Sequence, residues 1–513
     1  MNGADALIET LVANEVTACF ANPGTSEMQF VSALDRQPAM RPVLCLFEGV
    51  VTGAADGYGR MAGKPACTLL HLGPGYGNGL ANLHNARRAF TPIVNVIGDH
   101  ATYHRQYDAP LNSDIPTIVG PNSLWVKSAD SPETVAAITA EAVAASHGPP
   151  GGPVSLILPA DSAWLETTTK PAKAEIPVRA APSGEAVDTV AKALKAAAKP
   201  VLLLGSQATS AAALAQASRL AAAGYRILTD TFIARQPRGA GIFQPGRMPY
   251  FGEAALADLA GVDLMIHVGT VIPVAFFAYP DRPSVLVPEG CETLTLSTRQ
   301  EDSVAALTAL ADALGAPASG PVQPLKIAEA SPTGQITPQS AGASIARHLP
   351  QGAVICDDSV TSGGGVAVPC GTAQPHDVLA LTGGAIGIGM PLAIGAGVAA
   401  PDSKIVSLNG DGAGMYTVQS LWTMARENLD VTVVVFANHS YRILNIEMGR
   451  TGAGNPGPSA SKLLDLGNPK IDWVSLAKGL GLPAVRCTTA EEFDDAFARA
   501  MNEPGPKFIE AAI

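Results

Sequence analysis

Charge is scarce in this sequence. Only 15% of its 513 residues are Asp, Glu, Lys or Arg, the balance is −12, and no long basic run occurs. Such a chain offers no electrostatic footprint for a nucleic-acid backbone or an anionic membrane, so neither is expected as a partner. Long apolar runs are missing too: none reaches the length of a transmembrane helix. The opening stretch, MNGADALIETLVANEV, is acidic and amphipathic instead of basic and then apolar. No secretory leader is therefore expected, and a cytoplasmic location is. Cysteine is sparse, with seven residues at 19, 45, 67, 291, 356, 370 and 487 and no C-x-x-C pair. An odd, dispersed set argues against a disulfide framework or zinc site and suits buried thiols in a reducing compartment.

What is present is ample apolar material: 47% of the residues are hydrophobic. The length suggests three domains. Apolar strands alternate with small-residue helices, and glycine turns follow the strand ends, which is the pattern of α/β domains with doubly wound parallel sheets. Linkers rich in Pro, Thr, Lys and Ala at 165–186 and 315–340 divide the chain into 1–165, 185–315 and 340–513. The middle segment contains no G-x-G-x-x-G fingerprint, so tight flavin binding is not expected there. A faint internal echo links 53–75 with 395–412: each runs small-residue helix, Pro/Lys turn, apolar strand, glycine turn.

The stretch from Lys404 to Tyr441 organises the third segment. It reads as a strand (405–408), a turn (409–412), a helix (416–427) and a strand (431–437). The helix rests on Val418, Leu421, Trp422 and Ala425 at three- and four-residue spacing. Asp411 follows the first strand and Asn438 the second, and adjacent parallel strands bring their C-terminal ends together. That edge is where open α/β sheets bind ligands. A carboxylate, an amide oxygen and nearby carbonyls suit a hard cation such as Mg²⁺, with phosphate oxygens completing its shell. Gly410 and Gly412 allow close approach of the backbone.

In the first segment the apolar run 42–47 ends on Glu48, where a carboxylate is expected to be desolvated. A glycine-rich stretch, GPGYGNG at 73–79, reads as a turn after the strand that ends on His71.

The ordered set NPGTSE (22–27), FEG (47–49), AADGYGR (54–60), GPG (73–75), GDG (410–412) and Asn438 resembles the thiamine diphosphate (ThDP) enzymes, in particular 2-oxo acid decarboxylases and acetohydroxyacid synthases. The 27 positions from Asp411 to Asn438 match the GDG…N signature of that family. The resemblance implies that 1–165 binds the cofactor's pyrimidine and 340–513 its diphosphate and Mg²⁺. It also implies a homodimer or a dimer of dimers with the cofactor between subunits. Glu48 would bond the pyrimidine nitrogen and set its tautomer. Asp411, Asn438 and the Ser440 carbonyl would bind Mg²⁺, and Gly412 and Ala413 would flank the diphosphate. The Gly384 carbonyl would meet the pyrimidine amino group, and Ile386 would be the apolar wedge that bends the cofactor.

Among these enzymes the pattern is closest to benzoylformate decarboxylase. His71 matches its first-domain active-site His, and Thr25 keeps the hydroxyl of its substrate-binding Ser. Ala278 stands where its middle-domain His is expected. His100 and His104 lie in a polar loop but are not the adjacent pair of pyruvate decarboxylases. Ile443, Leu444, Phe276 and Phe277 are candidate walls for an apolar substrate. The expected activity is non-oxidative decarboxylation of a 2-oxo acid with carboligase potential; the alternative is an acetolactate-synthase-type carboligase without working FAD.

Overall fold

In a computed structural model that describes residues 1–513, eighteen strands form three sheets. The first contains β1 (Ala18–Ala21), β2 (Arg41–Leu44), β3 (Ala66–Leu70), β4 (Ile93–Asp99), β5 (Val126–Ser128) and β6 (Pro153–Pro159), in the order β2-β1-β3-β4-β6-β5. All its pairings are parallel, and β1, β3, β4 and β6 are buried along their whole length. Continuous apolar strands are what a sheet covered by helices on both faces requires.

Next come β7 (Pro200–Leu204), β8 (Arg226–Thr229), β9 (Arg235–Arg238), β10 (Gly246–Arg247), β11 (Leu264–Val268) and β12 (Glu292–Ser297). All but β9 make the second parallel sheet, ordered β10-β8-β7-β11-β12. The third is built from β13 (Ala353–Asp358), β14 (His376–Ala380), β15 (Ile405–Gly410), β16 (Val431–Ala437), β17 (Ala484–Cys487) and β18 (Lys507–Ala512), ordered β17-β18-β16-β15-β13-β14-β9. There β9 pairs antiparallel with β14 and ties the middle of the chain to the third sheet. No helix is long and apolar enough to cross a membrane.

The two echoing segments pack on each other. Helix Glu48–Ala62 crosses helix Gly389–Ala399 so closely that a Cβ on Gly395 would lie 1.9 Å from the Ala54 carbonyl oxygen, and one on Gly57 2.2 Å from that of Leu392. Beside this crossing Asp56 and Arg60 form a buried ion pair at 2.6 Å. Arg60 also donates to the carbonyls of Ala234 and Ala380 and to Thr382 Oγ1, so one satisfied guanidinium joins three parts of the chain.

Local expectations needed three corrections. The run 42–47 is strand only over Arg41–Leu44, at the sheet edge, so Glu48 begins a helix instead of ending a strand. The glycine-rich 73–79 lies inside the helix Leu72–Ala89. Two of its glycines serve packing: a Cβ on Gly73 would meet Ser113 Oγ at 2.3 Å, and one on Gly79 would meet Thr52 Cγ2 at 2.7 Å. Tertiary contact there outweighs the poor helix propensity of glycine. The turn and helix expected over 409–427 are instead the end of β15 and two helices, Asp411–Met415 and Ser420–Arg426.

Candidate active site

The first half of the site stands at the C-terminal edge of the first sheet. After β1 the chain turns through Thr25–Glu27, and after β3 it reaches His71. Glu27 is buried at 4% exposure and accepts from Gly24 N at 2.7 Å and Ser26 Oγ at 2.5 Å. Its carboxylate faces His71 Nδ1 at 2.9 and 3.2 Å. Facing an acceptor-only group, Nδ1 carries the proton, which leaves Nε2 as the nitrogen free to exchange one. Two glycines clear the space. A Cβ on Gly24 would lie 2.2 Å from His71 Nδ1, and one on Gly98 only 1.9 Å from Glu27 Oε1. Leu72 follows with φ of +51°, so the turn that sets the imidazole is strained.

Thr25 is exposed; the hydroxyl that reaches His71 is that of Ser26, at 3.2 Å. Glu27 itself was not among the expected site residues. Its one sequence signal was its place at the end of NPGTSE, which does not reveal that β1 and β3 are neighbours.

Glu48 is 7% exposed and begins the helix behind this edge. Its Oε2 accepts from Asn78 Nδ2 at 3.0 Å, and its Oε1 lies 3.5 Å from where a Cβ on Gly75 would stand. Asn82 Nδ2 bonds the Gly49 carbonyl at 2.7 Å and so holds the carboxylate's helix in place.

The second half lies at the C-terminal edge of the third sheet. Parallel β15 and β16 bring the turns that carry Asp411 and Asn438 to one sheet edge, as expected of adjacent parallel strands. Asp411 is 3% exposed, its oxygens accepting from Gly412 N at 2.8 Å and His439 N at 2.6 Å. Burial raises its pKa above the ordinary carboxylate value. Asn438 Oδ1 accepts from Ser440 N at 2.9 Å, and the Ser440 carbonyl from Arg442 N at 2.8 Å. Each of these oxygens accepts one hydrogen bond and keeps a lone pair. Ala413 is buried, and a Cβ on Gly412 would fall 2.3 Å from the Tyr441 ring.

Gly384 has φ of +82° and half-buried Ile386 follows in the same loop. Two anchors hold that loop. Asn85 donates to the Ala385 carbonyl at 2.7 Å and accepts from Gly383 N at 3.1 Å. Asp358 Oδ2 accepts from the N–H groups of Gly387, Ile388 and Gly389 at 2.7, 3.0 and 3.3 Å. Burial pushes the Asp358 carboxyl up to about 7 against those bonds.

Aromatic rings close the side of this loop. A Cβ on Gly384 would stand 2.7 Å from Phe276, which packs on Phe277 at 4.7 Å, Tyr250 at 5.4 Å and Phe232 at 5.5 Å. Phe276, Phe277 and Leu444 keep 41%, 55% and 45% of their surface exposed, whereas Ile443 is half-buried. Leu444 and Ile443 ride on helix Arg442–Arg450, which begins right after the Asn438–Ser440 turn. At its far end Arg450 clasps Glu253 through two nitrogens at 2.6–3.0 Å, bonds Glu447 at 2.6 Å, and lies 3.9 Å over the Phe251 ring. His100 and His104 lie in the loop after β4, with ring centroids 5.4 Å from each other.

The donor set fits its expected ligand. Three hard oxygen donors at one sheet edge suit Mg²⁺, the positive φ of Gly384 turns the loop that would meet a pyrimidine, and Glu48 is the buried acid at the other half. The comparisons agree. Residues 1–116 match the family described as thiamine pyrophosphate enzyme, N-terminal TPP binding domain, and residues 367–511 the corresponding C-terminal TPP binding domain. A Mycobacterium tuberculosis protein named "Putative acetolactate synthase large subunit IlvX" is 50% identical over 520 residues, covering 100% of this chain and 99% of its own. Benzoylformate decarboxylase of Pseudomonas aeruginosa is 26% identical over 531 residues, covering 98% and 97%. The solved ThDP-dependent 4-hydroxybenzoylformate decarboxylase of Rhodococcus jostii superposes with a TM-score of 0.86 at 26% identity, covering 100% and 99%.

Three α/β sheets dominated by parallel pairings, with matches to the N- and C-terminal TPP binding domains in the first and third parts of the chain, define the class as ThDP-dependent enzymes. The chain belongs to that family, among its decarboxylase and acetolactate synthase-like members. Its cofactor is thiamine diphosphate, with Mg²⁺ the usual partner metal of the family.

Proposed function

We propose that the chain catalyses ThDP- and Mg²⁺-dependent, non-oxidative decarboxylation of a 2-oxo acid with an aromatic or branched side chain, in the manner of benzoylformate decarboxylase. The observation that carries this reading is the Glu27–His71 pair at the sheet edge that Glu48 also serves. In this reading 1–165 binds the pyrimidine, 340–513 binds the diphosphate and metal, and the functional unit is a cytoplasmic homodimer or dimer of dimers. Asp411, Asn438 and the Ser440 carbonyl hold Mg²⁺; Gly412 and Ala413 flank the diphosphate; Gly384 and Ile386 seat the pyrimidine and bend the cofactor. Bound there, ThDP supplies an electron sink for the pair of electrons left when CO2 departs. Glu48 holds a proton at the pyrimidine nitrogen. His71, oriented by Glu27 through Nδ1, would take up a proton from solvent at Nε2 and hold it for the substrate carbon that loses its carboxylate, and Thr25 would offer its hydroxyl to the substrate carboxylate. A proton donor held ready at that carbon supports release of an aldehyde.

A second reading, carboligation to an acetohydroxy acid, is supported by the name of the 50%-identical relative. One experiment separates the two: CO2 release and product identity across pyruvate, branched and aromatic 2-oxo acids, with and without an acceptor aldehyde. Burying about 100 Å² more apolar surface at about 25 cal/mol per Å² favours a phenyl over a methyl side chain by up to about 2.5 kcal/mol. Faster turnover of the aromatic or branched acids with aldehyde as product is the expected result. Preference for pyruvate with an acetohydroxy acid as product would replace it with the second reading.

A further inference from the structure

A cavity of about 40 Å³ lies where β9 crosses onto the third sheet. At the ~10–15 Å³ that one water needs, this is room for about three waters or one small ion. None of the residues assigned to ThDP or Mg²⁺ lines it. Its walls carry two guanidinium groups, Arg238 and Arg247, one imidazole, His376, one carboxylate, Asp357, the amide of Gln236 and the thiol of Cys370.

The polar groups here are incompletely paired. Arg238 gives Nη2 to the Ala367 carbonyl at 3.2 Å, but its buried Nε has no partner. Arg247 sits at the more exposed rim and gives Nε to the Thr231 carbonyl at 2.6 Å. Asp357 spends Oδ1 on the backbone N–H of Ser359, at 3.0 Å, and on its hydroxyl. Two positive groups therefore face one negative group. Burial, with Arg247 adding its like charge, weakens the hold of Arg238 on its proton. His376 is 3% exposed, and its Nε2 is buried without a partner. Its Nδ1 lies 2.8 Å from the Gln374 carbonyl, which can only accept, so Nδ1 carries the hydrogen. Burial lowers the pKa of this imidazole and keeps it neutral. Nε2 is then an acceptor with nothing to accept from.

An occupant that pairs the two arginines and His376 must offer oxygens and negative charge to the former and a hydrogen to the latter. We propose that the cavity binds a small oxyanion carrying a hydroxyl hydrogen, the chemistry shared by hydrogencarbonate and dihydrogenphosphate. Its oxygens accept from Arg238 and Arg247, and its O–H donates to His376 Nε2. Because Arg238 belongs to β9 while Asp357 and His376 belong to β13 and β14, the bound ion cross-links the middle of the chain to the third sheet.

The test uses the holoenzyme loaded with ThDP and Mg²⁺. Its thermal midpoint is followed while sodium hydrogencarbonate, sodium phosphate, sodium sulfate or sodium chloride is added at matched ionic strength. The expected result is a saturable rise with hydrogencarbonate or phosphate, which tells the two sources apart, and none with chloride. Sulfate has no hydrogen to donate at neutral pH and binds at least about tenfold more weakly. Arg238→Met abolishes the rise, and Arg247→Met weakens the midpoint of the titration by about tenfold or more, the loss expected for one charge-assisted bond. If Arg238→Met does not fold, the rim variant Arg247→Met carries the test alone. No saturable rise, or one unchanged in Arg247→Met, would mean that the cavity holds only water and would overturn the proposal. Sulfate binding as tightly as phosphate would overturn the role of His376.

Discussion

His71 and Glu27 follow two neighbouring parallel strands, β3 and β1, and meet with Nδ1 2.9 Å from Oε2. Glycines at 24 and 98 stand on either side of the pair, where any side chain would collide with it. Removing the imidazole by His71→Ala is expected to lower kcat/KM by about two to four orders of magnitude, the range for loss of an acid–base group. Glu27→Gln keeps a hydrogen-bonding partner but no charge, and should lower kcat more than it raises KM. Thermal midpoints check the alternative: a large drop in stability with little loss of rate would make the pair structural.

Glu48→Gln should leave ThDP bound and nearly abolish turnover, because an amide cannot share a proton with the pyrimidine nitrogen. Exchange of the cofactor's thiazolium proton, followed by NMR, is the direct measurement. Exchange as fast as in the unaltered enzyme would remove Glu48 from its assigned role.

Asp411→Ala takes away one of the two side chains proposed to hold the metal and leaves the N–H groups of Gly412 and His439 without their acceptor. Affinity for ThDP in the presence of Mg²⁺ should fall by more than about a hundredfold, beyond the 10–100-fold typical of outer-shell changes. Calorimetric titration checks this, and unchanged binding would refute the metal-site assignment.

The Arg450 clasp spans Glu253, Glu447 and the Phe251 face, and it fixes the helix that carries Ile443 and Leu444. Cutting it by Arg450→Ala should raise the KM for substrate by about tenfold and leave ThDP affinity nearly unchanged. Arg450→Lys should not rescue, since an ammonium cannot make the two-nitrogen contact with Glu253. An unchanged KM in both variants would show that the helix is held by other contacts.

Asp358 provides a pH test. Its carboxyl is raised to about 7 in the folded chain, against about 3.9 when unfolded. The folded state therefore binds the extra proton, and the stability this group contributes is fully present below about pH 4 and lost as pH rises through 7. Asp358→Asn should remove that segment of the pH dependence. Urea midpoints at pH 5 and pH 8 measure it; an equally steep change in the variant would assign the slope to another group.

Some of this site was legible in one dimension. Strand β16 runs over Val431–Ala437 as read, and Asp411 and Asn438 follow two neighbouring parallel strands because a continuous apolar run has few other fates. The acid at Glu48 and the histidine at His71 were visible as polar residues that break apolar stretches. Other features follow from which distant segments lie side by side. Periodicity reports a residue's local geometry and which face is buried, not its neighbour across a sheet. Glu27 thus became the partner of His71 only once β1 paired with β3, and Ser26 instead of Thr25 reached the ring because the Thr25–Glu27 turn points it that way. The glycines at 73–79 signal a turn as readily as close packing, and in the helix Leu72–Ala89 two of them, Gly73 and Gly79, make room for Ser113 and Thr52. Arg450 and Glu253 stand 197 positions apart, a separation no local pattern spans.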